Sequence, residues 1–442
     1  MTIHIVGGGL AGSEIAYQLA KFGFEVTIHE MRPIKMTPVH KTGLLAELVC
    51  SNSLKSDDIR NASGLLKREM ELFGSLILKA AFISRLPAGK ALAVDRERFS
   101  WFITETVKKF GVQIINEEIT QIPEDSKDIW IIATGPATSI DLCKQLERIL
   151  GDNLYFFDAV APVITADSID YSVAFFADRY DIGTKDYLNC PMDLSQYEKF
   201  YEALINAEVI PIEDFDRSLL FERCMPVEEI AKSGKMSLLF GPLRPVGLID
   251  PRTGRQPYAV VQLRKDNAEG TLYNIVGFQT RLKWNEQKRI IRLIPGLENA
   301  KIVRYGVMHR NVYIDSRKVL DPYMRLKTKE RIFFAGQITG VEGYLESAAS
   351  GLYVALNLYR VLNKLDPVVL PRTTMMGALF NYISRGSDHK LQPMYANYGL
   401  LSNYKQSREQ IARKALEDMK DFLRQMGFMK GDIGESTIKG FE

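Results

Sequence analysis

Cysteine is scarce in this 442-residue chain: the four thiols are Cys50, Cys143, Cys190 and Cys224, and no two of them form a CxxC pair. That density excludes a disulfide scaffold and suits a reducing compartment in which any thiol is free to react. No apolar run approaches the roughly 20 residues that span a bilayer, and no basic segment precedes the apolar strand that starts at Thr2. A secreted or membrane-inserted protein is therefore not expected, and a cytoplasmic one is. An excess of one charge is missing too. With 57 Lys+Arg against 54 Asp+Glu, the net +3 announces no nucleic-acid partner, although a local basic patch fits inside a near-neutral total. What is present is 46% hydrophobic residues, enough for the cores of two or three domains.

The first thirty residues read as one βαβ unit. An apolar strand runs into Gly7-Gly8-Gly9-Leu10-Ala11-Gly12, a helix follows through Ala20, and Glu25 to Glu30 forms a second strand. Further on, Glu97 to Phe110 is helical up to Gly111, Val112 to Asn116 is a strand, and an apolar strand from Asp128 stops at Gly135-Pro136. From about 137 to 329, short strands with aromatic alternation interleave with helices and Pro/Gly turns. An apolar strand then returns at Arg331 to Gly336, followed by a helix around Ala348 to Ala355 and another from Gln406 to Gln425. The expected fold is α/β: a Rossmann-like domain with a doubly wound parallel sheet, made from 1–136 and 330–442, with an inserted α+β domain at 137–329.

Each glycine of the fingerprint has a physical task. Gly7, Gly9 and Gly12 serve a tight turn, close approach to a pyrophosphate and close packing of helix on strand. The helix N-terminus offers unpaired N–H groups and a positive dipole end, and Glu30 ends the second strand where a carboxylate accepts ribose hydroxyls. A glycine turn alone also serves ordinary packing; here strand, turn, helix, strand and terminal acid agree. Ala133-Thr134-Gly135 and Gly336-Gln337 end strands far from the N-terminus, and such split segments favour one extended cofactor, FAD, over a continuous nicotinamide domain.

Among the cysteines, Cys143 lies in a helical pattern and Cys190 in a turn before Pro191; both read as small structural hydrophobes. Cys50 follows an apolar stretch, and Cys224 stands beside Arg223, a cation that favours its thiolate. From composition alone a buried, inert role stays open at both. At these positions the chain resembles a known family, the folate- and FAD-dependent tRNA (uracil-5-)-methyltransferases, TrmFO. The matching segments include IVGGGLAGSE (5–14), AELVCSNSLKSD (46–57), ALAVDRERFS (91–100), FERCMPVEEIAKSGK (221–235), LKWNEQKR (282–289), RYGVMHRN (304–311), FFAGQITGVEGYLESAASG (333–351) and QPMYANYGLL (392–401), with a long match over 241–280. The likeness covers nearly the whole chain. Flavoproteins of the MnmG type share the fingerprint and the glycine-rich turn but not the two cysteine segments.

The resemblance implies an enzyme that methylates C5 of uridine in RNA, at the T-loop uridine of tRNA. It takes the one-carbon unit from 5,10-methylenetetrahydrofolate by way of reduced FAD, which NADPH or NADH regenerates. Uracil C5 is a poor nucleophile until a thiolate adds at C6, so a cysteine is required. The family's two cysteines fall on Cys224, taken as nucleophile, and Cys50, taken as general acid or base, with the reverse assignment open. The implied FAD contacts are Gly7, Gly8, Gly9, Leu10, Ala11, Gly12, Glu30, Arg32, Ala133, Thr134, Gly135, Gly336, Gln337, Gly340, Gly343, Tyr344 and Glu346. His309 and Arg310 resemble the segment that approaches the folate, and no metal is implied.

For RNA, the cations to consider are Arg244, Arg252, Arg255 and Arg264 in the insert and Lys405, Arg408, Arg413, Lys414, Lys420 and Arg424 near the C-terminus. Acids between the latter also suit a plain solvated helix face. Lys90, Arg281 and 312–317 depart from the family pattern, which leaves a uridine of large-subunit rRNA as an alternative target. A reading of another class is an NAD(P)H-oxidising flavoprotein or RNA-binding module without methyl transfer. Nothing in the sequence fixes the oligomeric state.

Overall fold

The computed structural model describes the chain except residues 38–39, 50–51, 89, 182–184, 186, 211–225, 267–268, 386–390, 402–405 and 428–442, and it describes 156–160, 181 and 307–311 by backbone alone. The chain divides into two compact units. Unit 1 comprises 1–156 and 311–442, and unit 2 comprises 157–310.

Unit 1 is built on a five-stranded sheet. Strand β1 (Ile3–Val6) leads into helix α1 (Leu10–Lys21) and strand β2 (Val26–His29). The sheet order is Ile332–Phe334, Ile129–Ile132, β1, β2, Gln113–Ile115, with all neighbours parallel. Ile129–Ile132 and Ile332–Phe334 are buried at every position, as strands covered on both faces must be. Because β2 lies on one side of β1 and Ile129–Ile132 on the other, the strand order reverses there and opens a crevice at the carboxyl ends.

The helices follow the sequence patterns closely. Arg96–Lys109 begins at an Asp95 cap whose carboxylate accepts the Arg98 N–H, and Arg408–Gln425 begins at a Ser407 capping box. The helix expected around Ala348 to Ala355 is longer, Tyr344–Leu362, and packs along α1.

Two buried acids tie unit 1 together. On α1, the Glu14 carboxylate accepts from Ser75 Oγ (2.7 Å) and from the N–H groups of Leu76 and Ile77 (3.0 Å each) at the start of α3 (Leu76–Ile83). On α2 (Ala62–Leu72), Glu69 accepts the N–H groups of Met375 (2.7 Å) and Met376 (2.8 Å) at the start of the helix Met375–Ser384. Burial pushes the Glu69 carboxyl up to about 8, against the lowering effect of those two N–H donors. Between about 4.5 and 8 the folded chain therefore keeps a proton that the unfolded chain has lost, so this group makes stability fall as pH rises through that window. Glu69→Gln is expected to flatten that slope while costing about 1–3 kcal/mol at pH 5, because one helix N–H loses its acceptor. Unfolding midpoints in urea at pH 5 and pH 8, with and without the substitution, measure both.

Unit 2 holds a six-stranded antiparallel sheet in the order Phe175–Phe176, Tyr187–Met192, Ala259–Lys265, Leu272–Ile275, Val163–Thr165, Ile302–Arg304. Its core joins the sheet to the helices Leu194–Ile205 and Trp284–Ile291 through Leu188, Val261, Ile275, Phe200 and Ile290. Cys190 corrects an expectation: it lies in the strand Tyr187–Met192, paired opposite Val261, and not in a turn. Pro191 is tolerated because the neighbouring strand Phe175–Phe176 pairs only with Leu188 and Asn189 and asks no N–H of it.

Candidate functional site

The crevice at the end of β1 is lined by residues from every part of unit 1. Gly7, Gly9, Leu10 and Ala11 form one wall, Glu30 and Arg32 a second, Ala133, Thr134 and Gly135 a third, and Gly336, Gln337 and Tyr344 a fourth. Gly7 has φ +104°, and a Cβ there would lie 2.7 Å from the carbonyl oxygen of Ala133, so only glycine makes this turn. A Cβ on Gly12 would meet the Gly7 carbonyl oxygen at 2.0 Å, which is the close helix-on-strand packing expected of it. Gly9 faces open space and caps α1 with no side-chain hydrogen bond, so the first N–H groups of the helix are left to an outside acceptor. A pyrophosphate fits this donor set.

The second wall differs from the sequence expectation. Both Glu30 oxygens already accept two donors: Oε1 takes Arg32 N (3.0 Å) and Nε (2.9 Å), and Oε2 takes Gly8 N (2.8 Å) and Arg32 Nη2 (3.1 Å). Burial opposes ionisation of Glu30, but the Arg32 hydrogen bonds and charge outweigh it and hold the carboxyl below its usual range. A ribose hydroxyl must therefore exchange for one of these bonds. Arg32 is itself buried, and its Nη1 reaches Glu47 Oε2 (3.1 Å) and the Thr42 carbonyl (3.3 Å), clamping the 42–47 loop to the end of β2.

Five expected contacts do not line the crevice. Gly8 turns its N–H to Glu30, Gly12 packs against Gly7, Gly340 backs onto Leu391, and Gly343 onto Glu346 and Lys55. Glu346, completely buried, accepts instead from Lys55 Nζ (3.0 Å) and the Ala396 N–H (3.1 Å), while Lys55 also sits over the Tyr395 ring. It ties three segments together beside the crevice. Conversely, sequence reasoning missed Thr37, His40, Val49, Glu117 to Ile119, and Ser347. Ser347 carried a signal, being one helical turn from Tyr344; the loop residues carried none. His40 donates to or accepts from Thr37 Oγ1 at 2.6 Å, and burial, followed by the Arg32 charge, lowers its pKa, so it lines the crevice as a neutral imidazole at pH 7.

Cys50, Cys224, Arg223 and Lys405 lie outside the described residues, as do the side chains of His309 and Arg310, whose backbone belongs to the strand Val307–Ile314. Of the other RNA cations, Arg252 is bound to Asp250 (2.8 and 3.1 Å). Arg413, Lys414 and Arg424 pair with Glu409, Asp418 and Asp421 on their own helix. Arg244 and Arg255 are exposed. No described helix is long and apolar enough to cross a membrane.

The comparisons agree with this geometry. Residues 2–366 match the family model of glucose inhibited division protein A. The chain is 66% identical over 441 residues to a protein of Pseudothermotoga lettingae named methylenetetrahydrofolate–tRNA-(uracil-5-)-methyltransferase TrmFO, covering all of both chains. It is 59% identical over 435 residues to the protein of the same name from Thermotoga maritima, covering 96% of this chain and 99% of that one. Among solved structures, GidA of Aquifex aeolicus superposes with a TM-score of 0.52 at 16% identity, over 98% of this chain and 74% of that one, a likeness of fold. With full-length identity at this level and a family model matching most of its residues, the chain belongs to the TrmFO family, within the wider GidA family.

Proposed function

We propose that this chain methylates C5 of uridine in tRNA, at uridine 54 of the T loop, with 5,10-methylenetetrahydrofolate as one-carbon donor, FAD as cofactor and NAD(P)H as reductant. The observation that carries the reading is the 66% identity, end to end, with a relative named for that activity. The relatives' names speak for tRNA and give no support to an rRNA target or to a flavoprotein without methyl transfer.

In this reading unit 1 is a Rossmann-like FAD-binding domain and unit 2 an inserted substrate domain. The helix N-terminus at Gly9 and the strand ends at Ala133 to Gly135 and Gly336 to Gln337, with Tyr344, would hold the cofactor. A flavin held there would supply the redox and one-carbon-carrying chemistry that the methyl group requires. The chain's own residues do the rest. The Cys224 thiolate adds to uracil C6 and pushes electron density onto C5; Cys50 removes the C5 proton; the thiolate then leaves C6 as the ring recovers its double bond. His309 and Arg310 orient the folate, the imidazole by stacking and the guanidinium by pairing with a carboxylate.

The purified protein is expected to be yellow, and deletion of its gene to remove 5-methyluridine from tRNA while leaving that of rRNA. Unchanged tRNA 5-methyluridine in the deletion strain overturns the assignment.

A further inference from the structure

Unit 2 carries an exposed aromatic ring mounted on a rigid cationic base. Tyr180 adopts φ +61°, a left-handed conformation rare for a tyrosine, and the residue is 59% exposed. One side of its ring lies against Gly247: a Cβ built there would be 3.1 Å from Tyr180 Cδ1, Cε1 and N, and Gly247 has φ +84°. The Tyr180 N–H donates to the Gly247 carbonyl at 2.8 Å, which pins the two together. Glycine is required because any side chain would fill the space under the ring.

The base beneath is equally fixed. Arg179 donates through Nη1 to the carbonyls of Arg244 (2.6 Å) and Val246 (3.0 Å), and through Nη2 to Gln262 Oε1 (3.1 Å). Gln262 in turn donates to Asn189, a fully buried strand residue. Burial, and then the charge of Arg244, push the Arg179 guanidinium below its usual range. Among the described residues no carboxylate is paired with either arginine, whereas Arg252 a few positions on is held by Asp250. Two neighbouring guanidiniums without an acid, beside an exposed aromatic residue, lack an anion and a flat partner.

One nucleotide supplies both. We infer that Tyr180 and Arg244 form a landing site for an unpaired nucleotide of the RNA substrate, with the base stacked on the Tyr180 ring and the phosphate on Arg244. The inference rests on the reading of this chain as an RNA-modifying enzyme. Stacking on an aromatic ring tolerates any base, and a guanidinium takes a phosphate in a forked geometry, so the site grips a splayed loop without selecting its sequence. The strained tyrosine is set before RNA arrives, which reduces the ordering needed on binding.

The test uses the flavin-loaded full chain and a fluorescein-labelled T-arm stem-loop RNA, with anisotropy titrations at several salt concentrations. Tyr180→Asn removes the ring and keeps a residue that tolerates positive φ; it is expected to weaken binding about five- to a hundredfold, the worth of one stacked base, with an unchanged salt slope. Tyr180→Phe keeps the ring and is expected within about twofold of the unaltered chain. Arg244→Gln is expected to weaken binding and to lower the salt slope by about 0.7, one single-strand phosphate contact. Lys144→Gln, which removes an exposed lysine paired with Asp141 on unit 1, controls for net charge. Flavin absorbance and thermal unfolding check that each variant is folded.

Binding by Tyr180→Asn equal to the unaltered chain overturns the landing site, and so does an equal loss in Tyr180→Phe. Assay of 5-methyluridine in the same RNA separates the two claims. If the unaltered chain methylates and the variants bind as it does, the landing site alone fails. If it binds with these dependences but forms no 5-methyluridine, the assigned reaction fails and the landing site stands.

Discussion

Cys224→Ala is expected to abolish the covalent adduct expected of the unaltered chain with 5-fluorouridine RNA, and to lower methylation roughly 10⁴-fold or more, as loss of a nucleophile does elsewhere. The C5=C6 bond of uracil is conjugated to the C4 carbonyl, so a thiolate adding at C6 delivers its electron pair to C5 and the carbonyl oxygen. With fluorine at C5 there is no proton to remove after carbon transfer, and the adduct cannot collapse. The described thiols are unsuited to this task. Cys143 and Cys190 are both buried, and burial pushes the Cys190 thiol well above its ordinary range, away from the reactive thiolate. Cys224 has Arg223 beside it in sequence, and a cation lowers a thiol pKa. Cys50→Ala should separate the roles: the adduct still forms, but product falls about 10²- to 10⁴-fold because C5 keeps its proton. An adduct that survives Cys224→Ala and disappears in Cys50→Ala reverses the assignment. Mass spectrometry of the protein–RNA complex reads both results.

Arg32→Met is expected to destabilise the protein by about 3–5 kcal/mol, the usual consequence of leaving buried carboxylates without their cation. Arg32 is 2% exposed and serves both Glu30 and Glu47. With Arg32 present, Glu30 is held below its usual range, so its contribution to stability is present above the unfolded pKa and is lost as pH falls through the folded one. Without the guanidinium, burial is opposed only by the N–H groups of Gly8 and of residue 32 itself, so the folded pKa of Glu30 rises from its depressed position. The variant should therefore lose less stability than the parent on acidification, a pH-dependent difference that simple loss of packing does not produce. Arg32→Lys should recover little, because an ammonium cannot fork between Glu30 and Glu47. Denaturant midpoints at pH 5 and pH 8 decide it, and flavin absorbance reports whether the crevice still holds its nucleotide.

The first wall of the crevice was legible because its constraints are local. Gly7 needs its positive φ and Gly12 its missing Cβ within a few residues of each other, and both leave a mark in the sequence. Glu346 shows where such reasoning ends. It stands two residues from Tyr344, but the helix begins at Tyr344, so at 100° per residue the two point to well-separated sides. Tyr344 and Ser347 share the crevice face, and Glu346 turns to Lys55. Arg32 and Glu30 were both identified, but their pairing with Glu47 depends on where a loop closes, which spacing does not encode. The same holds for Glu117 to Ile119, carried to the crevice by the parallel pairing of Gln113–Ile115 with β2. Tyr180 and Gly247 are 67 positions apart and meet only through the fold of unit 2.

The wide sequence separation inside unit 1 sets an order of assembly. On a ribosome, β1, α1 and β2 emerge early, but their neighbours Ile332–Phe334 and Tyr344–Leu362 are made only after the whole of unit 2, and Glu69 awaits helix N–H groups 306 residues downstream. Unit 2 is continuous and can complete its own core first. The part of α1 that Tyr344–Leu362 covers meanwhile stays exposed on the nascent chain. Translation that stops before Gly336 leaves a crevice without its fourth wall, and nucleotide loading therefore belongs to the last stage of the protein's manufacture.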